Sequence, residues 1–378
     1  MDFGLTEEQV AVQRLARDFT AKVIKPVAAH YDETEELAWP VVEEAFKVGL
    51  LHLNIPEEYG GAGLNHLTEI LVAEEIAAGC LGIATTIIGV GLGVLPILIA
   101  GTPEQKESFL PPLCAQPALA AFCLTEPGAG SDVASMATTA VRDGDDYVID
   151  GTKHFITNGG VARLYTAFAV TDRARGAKGL SAFIVPGDAP GLRQGKVEKK
   201  LGIRASQTAE VVFDGVRVPA ANRLGREGQG FSVAMKTLDS SRPVVAAGGV
   251  GVARAALEAA VKYARERVQF GRPIAELQAI QFMLADMAMA VETARLVTHK
   301  AAWQLDRGEP VSITGAMAKC LGGDAAMKVA TDAVQVFGGY GYMREYPVEK
   351  YLRDAKIVQI YEGTNQIQRL VIARQLLG

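Results

Sequence analysis

No charged side chain occurs between Glu75 and Glu104. That is enough residues for a helix to cross a bilayer, so the segment has two physical solutions: lipid, or the interior of a large folded protein. Its composition decides between them. It holds Gly79, Gly82, Gly89, Gly91, Gly93 and Pro96, has no Trp or Tyr for a membrane interface, and follows acidic residues with no Lys or Arg nearby. We read it as a helix buried inside an oligomeric protein, with no membrane span. The rest of the chain can supply that interior. At 378 residues, 49% hydrophobic and 21% charged, it is long enough for roughly two to three domains with sizeable cores. A formal charge of -5 argues against a general nucleic-acid binder, which needs a concentrated basic surface.

Cys80, Cys114, Cys123 and Cys320 have no CxxC spacing and read as reduced, buried thiols of a cytoplasmic protein. The five histidines show no HExxH pairing, so no metal centre is expected. The acidic start, Met1 to Gln9, lacks the basic region and apolar block of a signal or transit peptide.

The hydrophobic period changes twice along the chain. Residues 1–115 read as helices. Thr6 with Gln9 is a capping box that opens an amphipathic run through Phe19 and Val23. Pro40 starts another helix and Gly49 stops it. Thr102-Pro103-Glu104-Gln105 caps a helix that Pro111-Pro112 is expected to break. Residues 116–225 alternate short β-rich runs with turn signals: Ala120–Leu124, Tyr147–Ile149, Lys153–Thr157, Tyr165–Val170, Ser181–Val185 and Glu210–Phe213. Turns are expected at Asp143-Gly144 and Asp150-Gly151, and a hairpin turn at Asn158-Gly159. Residues 226–378 return to helical runs: Phe231–Val268, Leu277–Arg307, Ser312–Phe337 and Val348–Leu377, with Pro243 expected to disturb the first. The predicted architecture is α+β and multi-domain. An N-terminal helical domain precedes a middle β-domain of two small packed sheets and a C-terminal four-helix bundle.

Three segments could carry chemistry. In Ile360-Tyr361-Glu362-Gly363-Thr364-Asn365-Gln366 a carboxylate stands between an aromatic ring and a glycine that permits close backbone approach; alone, such a pair usually marks a turn. Leu124-Thr125-Glu126-Pro127-Gly128-Ala129-Gly130-Ser131-Asp132 leaves a strand for a glycine-rich loop whose N–H groups can face a ligand. It is neither a Walker loop nor a Rossmann fingerprint, and alone reads as a plain turn. Arg265, Arg267 and Arg272 fit a solvated helix end equally well.

Together these segments, with the helix–strand–helix order, resemble the acyl-CoA dehydrogenase family, flavoenzymes that desaturate acyl-CoA thioesters. The resemblance covers essentially the whole chain. Arg242 to Gly248, Tyr346 to Lys350 and Arg353 to Lys356 are most similar to the medium-chain branch. The resemblance implies FAD as cofactor, with Phe122, Leu124, Thr125, Phe155, Ile156 and Thr157 around the flavin and Ser131 between flavin and the CoA arm. Many members carry Trp where this chain has Phe155. It implies Arg267, Phe270 and Gln278 at the pyrophosphate and adenine. Gln335, Gly338 and Gly339 would be contributed by a neighbouring subunit, and Thr364 and Gln366 would also hold FAD. Asp239, Arg242, Tyr361 and Gly363 would meet the substrate. Thr85, Ile88 and Leu92, spaced on one helical face, would line the acyl tail. Glu362 would be the base, since the family's other position for a glutamate is Ser241 here. The implied partners are an electron-transferring flavoprotein as acceptor and further copies of the chain, as a dimer of dimers.

Desaturation needs an α-proton removed by a base whose pKa in water is only about 4.3. Burial can raise it, donors at the thioester oxygen can stabilise the developing enolate, and the hydride must go to a flavin because no side chain can accept it. A short- or branched-chain dehydrogenase, an acyl-CoA oxidase and a catalytically silent helical scaffold remain alternatives. An oxidase would usually be longer.

Overall fold

The computed structural model describes residues 4–378, so the first three residues of the acidic start lie outside the description. Helix α1, Glu7–Phe19, opens on the expected box: Thr6 accepts from the Gln9 N–H while the Gln9 side chain accepts from the Thr6 N–H. A π turn over Thr20–Ile24 follows. Then come α2 (Ala28–Thr34), α3 (Trp39–Lys47), α4 (His66–Ala77), α5 (Leu81–Ala100) and α6 (Pro103–Cys114). The charge-free segment forms α5, with Ile83, Ile87, Val90, Val94 and Ile97 buried. Its glycines allow close packing; a methyl on Gly93 would lie 2.7 Å from the Ala120 backbone. By length and composition α5 and the later helix Gly230–Glu266 could each cross a membrane, but 61% and 72% of their apolar windows are buried within the protein.

The middle region contains β1 (Ala120–Cys123), β2 (Thr139–Asp143), β3 (Asp146–Thr157), β4 (Leu164–Val170), β5 (Leu180–Pro186), β6 (Leu192–Val197), β7 (Thr208–Pro219) and β8 (Arg223–Leu224). Their order is β6-β7-β3-β2-β4-β5-β8, with β1 parallel to β4. A single residue pair, Thr139 with Val170, joins β2 to β4. The sheet therefore folds as two halves over one core, in which Tyr147, Phe213 and Val216 share a cluster with Tyr165, Phe183 and Val185.

Two turn expectations need correction. Tyr147–Ile149 and Lys153–Thr157 are one strand, β3, and Asp150-Gly151 is a register shift inside it. The shift survives because Asp150 accepts from the Gly215 N–H of β7 and Gly151 packs against Thr138 where no side chain fits. Asn158-Gly159 does turn the chain, yet β3 and β4 are not partners; β3 pairs with β2 and β7, and β4 with β1 and β5. The turn instead carries the chain between the sheet halves. Strands β2, β6 and β8 were not read from sequence; β6, Leu-Arg-Gln-Gly-Lys-Val, is a polar edge with only weak alternation.

The C-terminal region holds α7 (Gly230–Glu266), a two-stranded ribbon of β9 (Val268–Gln269) and β10 (Arg272–Pro273), α8 (Gln278–Asp306) and α9 (Ser312–Phe337). Neither expected proline break occurs. Pro111 and Pro112 sit in the last turns of α6, and α7 runs on across Pro243. Dense packing explains α7, since every residue from Ser241 to Ala253 is buried, and tertiary contacts can exceed the roughly 3 kcal/mol penalty of one proline. The fourth run is divided into α10 (Val348–Val358) and α11 (Asn365–Leu377). Glu362 and Gly363, at φ 51 and 88, are both left-handed, which a right-handed helix cannot contain. Thr364 then caps α11 by accepting from the Ile367 N–H.

Helix α10 ties the three regions together. Asp354, buried, pairs with buried Lys350 and accepts from the Ile203 N–H of the middle region at 2.6 Å. Arg353 reaches Asp32 of the first region at 2.6 Å and Glu349 at 2.7 Å. Glu74 and Glu75 of α4 meet Arg254 of α7 at 2.9 and 2.8 Å. On the outer face of α8, Phe282, Met289, Leu296 and Trp303 stay exposed, seven residues apart. Replacing Asp354 with Ala leaves Lys350 a buried, unpaired cation and should lower the unfolding free energy by about 3–5 kcal/mol. Denaturant titration checks this, and a loss below about 1 kcal/mol, the worth of a surface pair, would remove the junction from the fold's essentials.

Candidate active site

Glu362 stands in the break between α10 and α11, and its position is set from three helices. Its Oε2 accepts from the Ser241 hydroxyl on α7. Lys319 Nζ on α9 donates to the Gly363 carbonyl at 2.7 Å and to Asn365 Oδ1 at 3.0 Å. Gln368 Nε2 on α11 donates to the carbonyls of Glu362 and Gly363 at 3.2 and 3.0 Å. Both carbonyls are thus drawn into the protein. Among the described residues the Glu362 backbone N–H has no acceptor. Enclosure pushes the Glu362 carboxyl above its ordinary value, while the Ser241 hydroxyl, Lys319 and Arg242 pull it back.

Neighbouring groups complete this end of the bundle. Tyr361 is held neutral by burial close to Thr85 of α5, whose hydroxyl donates to the Leu81 carbonyl. Arg242 is buried and pairs with Asp239, which in turn accepts from Ser312. The Arg242 Nε is enclosed without a partner. Ile88 packs in a cluster with Ile70, Ala73 and Val244, and Leu92 is half-buried further along the same face of α5.

The two segments expected to flank a flavin lie side by side. The His154 N–H donates to the Thr125 carbonyl at 2.8 Å, and Lys153 Nζ donates to the Leu124 carbonyl at 3.1 Å. Lys153, fully buried, also pairs with Glu126 at 2.8 Å, and Glu126 accepts from the N–H groups of Ala137 and Thr138. That ion pair closes the loop carrying Thr125 and Ser131 onto β3. Asn158 Nδ2 donates to the carbonyls of Thr86 and Ala120, bringing Thr157 against Gly89 of α5. Phe122 is half-buried, Leu124 and Ile156 are buried, and Ser131 is exposed on the loop.

A second group lies in a groove of about 520 Å³, lined by Tyr263, Arg267, Phe270, Phe337, Gly338 and Gly339 among others. Gln278 and Gln335 are exposed outside its lining, and Gln366 is exposed on α11. No residue of the Glu362 group lines it. Both places present an aromatic ring on which a flat ring system such as those of FAD could stack: Phe155 at one and Phe270 at the other. Phe155 is 59% exposed at φ 59, and Phe270 is 90% exposed at φ 52. His154 stacks on one face of Phe155 at 4.0 Å, and both exposed rings leave apolar faces on which a ligand ring can pack. His154, Glu198 and Glu210 also converge within 4.8 Å, but Lys196 at 2.7 Å and His154 at 2.9 Å already satisfy Glu198.

Sequence reading did not find Lys319, Gln368 or the Lys153–Glu126 pair, and it took Ser241 only as a position without a base. A signal existed for Lys319: it stands in Ala316-Met317-Ala318-Lys319-Cys320-Leu321-Gly322-Gly323, a stretch otherwise built for burial. A lysine there requires acceptors.

Comparison with known proteins agrees along the whole chain. Residues 6–117, 121–216 and 228–377 match the family models described as acyl-CoA dehydrogenase, N-terminal, middle and C-terminal domain. The chain is 46% identical to a short-chain specific acyl-CoA dehydrogenase of Clostridium acetobutylicum, covering 100% of both. It superposes on butyryl-CoA dehydrogenase from Megasphaera elsdenii with TM-score 0.98 at 45% identity, covering 100% of each chain. A chain solved in work on the electron transferring flavoprotein of Acidaminococcus fermentans gives TM-score 0.98 at 47% identity, again over 100% of each. Fold and sequence therefore agree that this chain belongs to the acyl-CoA dehydrogenase family of oxidoreductases.

Proposed function

We propose that the chain catalyses α,β-dehydrogenation of acyl-CoA thioesters to trans-2-enoyl-CoA, as a step of fatty-acid β-oxidation, with Glu362 taking the α-proton. The observation that carries this reading is the Glu362 carboxyl: half-buried, raised from its ordinary value by desolvation, and next to its own unsatisfied backbone N–H. Raised basicity favours proton removal, and that N–H offers a donor where negative charge develops on the thioester oxygen. FAD, when bound, supplies the acceptor for the β-hydride, which no side chain provides. For its flavin we propose Phe122, Leu124, Thr125, Ser131, Phe155, Ile156 and Thr157. For the remainder we propose Arg267, Phe270, Gln278, Gln335, Gly338, Gly339, Thr364 and Gln366. Asp239, Arg242, Ser131, Tyr361 and Gly363 would orient the substrate. Glu362→Gln should keep fold and FAD while turnover falls by about 10²–10⁴-fold. Flavin bleaching by octanoyl-CoA at the wild-type rate in that variant would move the base elsewhere.

For the acyl tail we propose the face of α5 carrying Thr85, Ile88 and Leu92. Its support is a charge-free helix with Ile88 among Ile70, Ala73 and Val244. Each buried methylene contributes about 0.8 kcal/mol, so preference should rise until the slot fills, at roughly six to twelve straight-chain carbons. A short-chain optimum is the second reading, favoured by the likeness to the short-chain specific and butyryl-CoA enzymes. kcat/KM across acyl-CoAs of graded length separates them: a peak at butyryl-CoA rejects the medium-chain reading. Ile88→Trp should move the optimum shorter, and an unchanged profile would assign the slot's foot to another wall.

We also propose that FAD is shared between two copies of the chain in a dimer of dimers, and that an electron-transferring flavoprotein accepts the electrons. Support comes from the separation of the groove from the Glu362 group, from the exposed apolar stripe on α8, and from the likeness to the Acidaminococcus chain. Light scattering should find a dimer or larger whenever FAD is bound; a stable, fully flavinylated monomer would rule sharing out.

A further inference from the structure

We propose that Lys319 is the positioning residue of the base, fixing both the backbone of the Glu362 loop and the charge felt by its carboxyl. The inference rests on Glu362 as base and asks what keeps that base usable. Lys319 is fully buried, in a helix of small residues where a cation has no reason to be unless it acts. Its ammonium spends two of its three donors on the loop, at the Gly363 carbonyl and Asn365 Oδ1. Asn365 in turn is anchored through its own amide to the Cys320 carbonyl and Asp324 Oδ1. The lysine therefore ties the Gly363 carbonyl, next to the unsatisfied Glu362 N–H, to α9.

The charge acts separately from the hydrogen bonds. Facing Lys319 are Glu362 from the loop, Arg242 from α7, and Cys320 and Asp324 on its own helix, with Arg369 of α11 on Asp324 at 2.8 Å. Arg242 is matched by Asp239, and Asp324 by Arg369. Lys319 is left as the cation whose largest charge partner is Glu362. Burial draws the ammonium down to about 8 against that attraction. Lys319 thus opposes the enclosure that raises the carboxyl, and removing its charge must raise the carboxyl further. The ionised base would then be lost first at low pH and recovered at high pH.

The test follows flavin reduction by butyryl-CoA and octanoyl-CoA against pH in the FAD-loaded wild type, Lys319→Met, Lys319→Gln and Lys319→Arg, with Glu362→Gln as control. We expect Met and Gln to shift the acid limb of the rate profile upward by about one pH unit, a tenfold loss below the limb, with FAD content unchanged. Gln, which can still donate to the Gly363 carbonyl, should lose less than Met at high pH, and Arg should restore the wild-type limb. A loss of equal size at every pH, or an unmoved limb, overturns the proposal and leaves Lys319 a packing residue. If Met does not fold, the limb in Gln decides. Wild-type rates in Glu362→Gln would instead overturn the base assignment, an outcome distinct from any result with Lys319.

Discussion

A buried lysine must be met by acceptors, and this chain buries three of them where its site needs holding. Lys153, Lys319 and Lys350 are each less than a tenth exposed. Lys153 draws in Glu126 and the Leu124 carbonyl, closing the glycine-rich loop on β3. Lys319 draws in the Gly363 carbonyl and Asn365. Lys350 draws in Asp354, whose other oxygen takes the Ile203 N–H. Desolvating an ammonium costs several kcal/mol, so each pair is weak evidence for net stability. What the pairs do supply is a unique arrangement, because any displacement of the acceptor segment strands a charge.

The same logic explains the backbone. Among the described residues six non-glycine residues have positive φ, and Phe155, Asn158, Phe270 and Glu362 of these lie in the groups described above. Such conformations cost of order 1–3 kcal/mol each and persist where surroundings over-determine them. Around Glu362 the determinants are visible: Gln368 and Lys319 on the carbonyls, Thr364 restarting the helix.

Much of this was legible in the chain. The capping boxes at Thr6 and Thr102 formed as spaced, since a box needs only its own four residues. The three-part order followed from hydrophobic period. Glu362, whose pairing with Gly363 alone reads as a turn, stood out only through the resemblance carried jointly with Leu124 to Asp132. Where reading failed, long-range partners decided. Pro243 looks disruptive locally, but α7 is packed on all sides. Asp150-Gly151 has the chemistry of a turn, but β7 holds it in the sheet. The fourth helix, read as one run, is split because Glu362 and Gly363 take left-handed backbone that side-chain type alone does not announce. Lys319 and Ser241 acquire meaning only when α7 and α9 converge on the loop.

Helix α10 carries one more implication. Its Arg353 and Asp354 grip the first and middle regions, and the loop with Glu362 begins within a few residues of them. Beyond its own holds from Ser241, Lys319 and Gln368, the Glu362 loop thus hangs on the joint where all three regions meet. Opening any one of them releases Arg353 or Asp354 and, with it, the register of the carboxylate. The placing of the Glu362 carboxylate is therefore tied to the integrity of the whole chain rather than to one region of it.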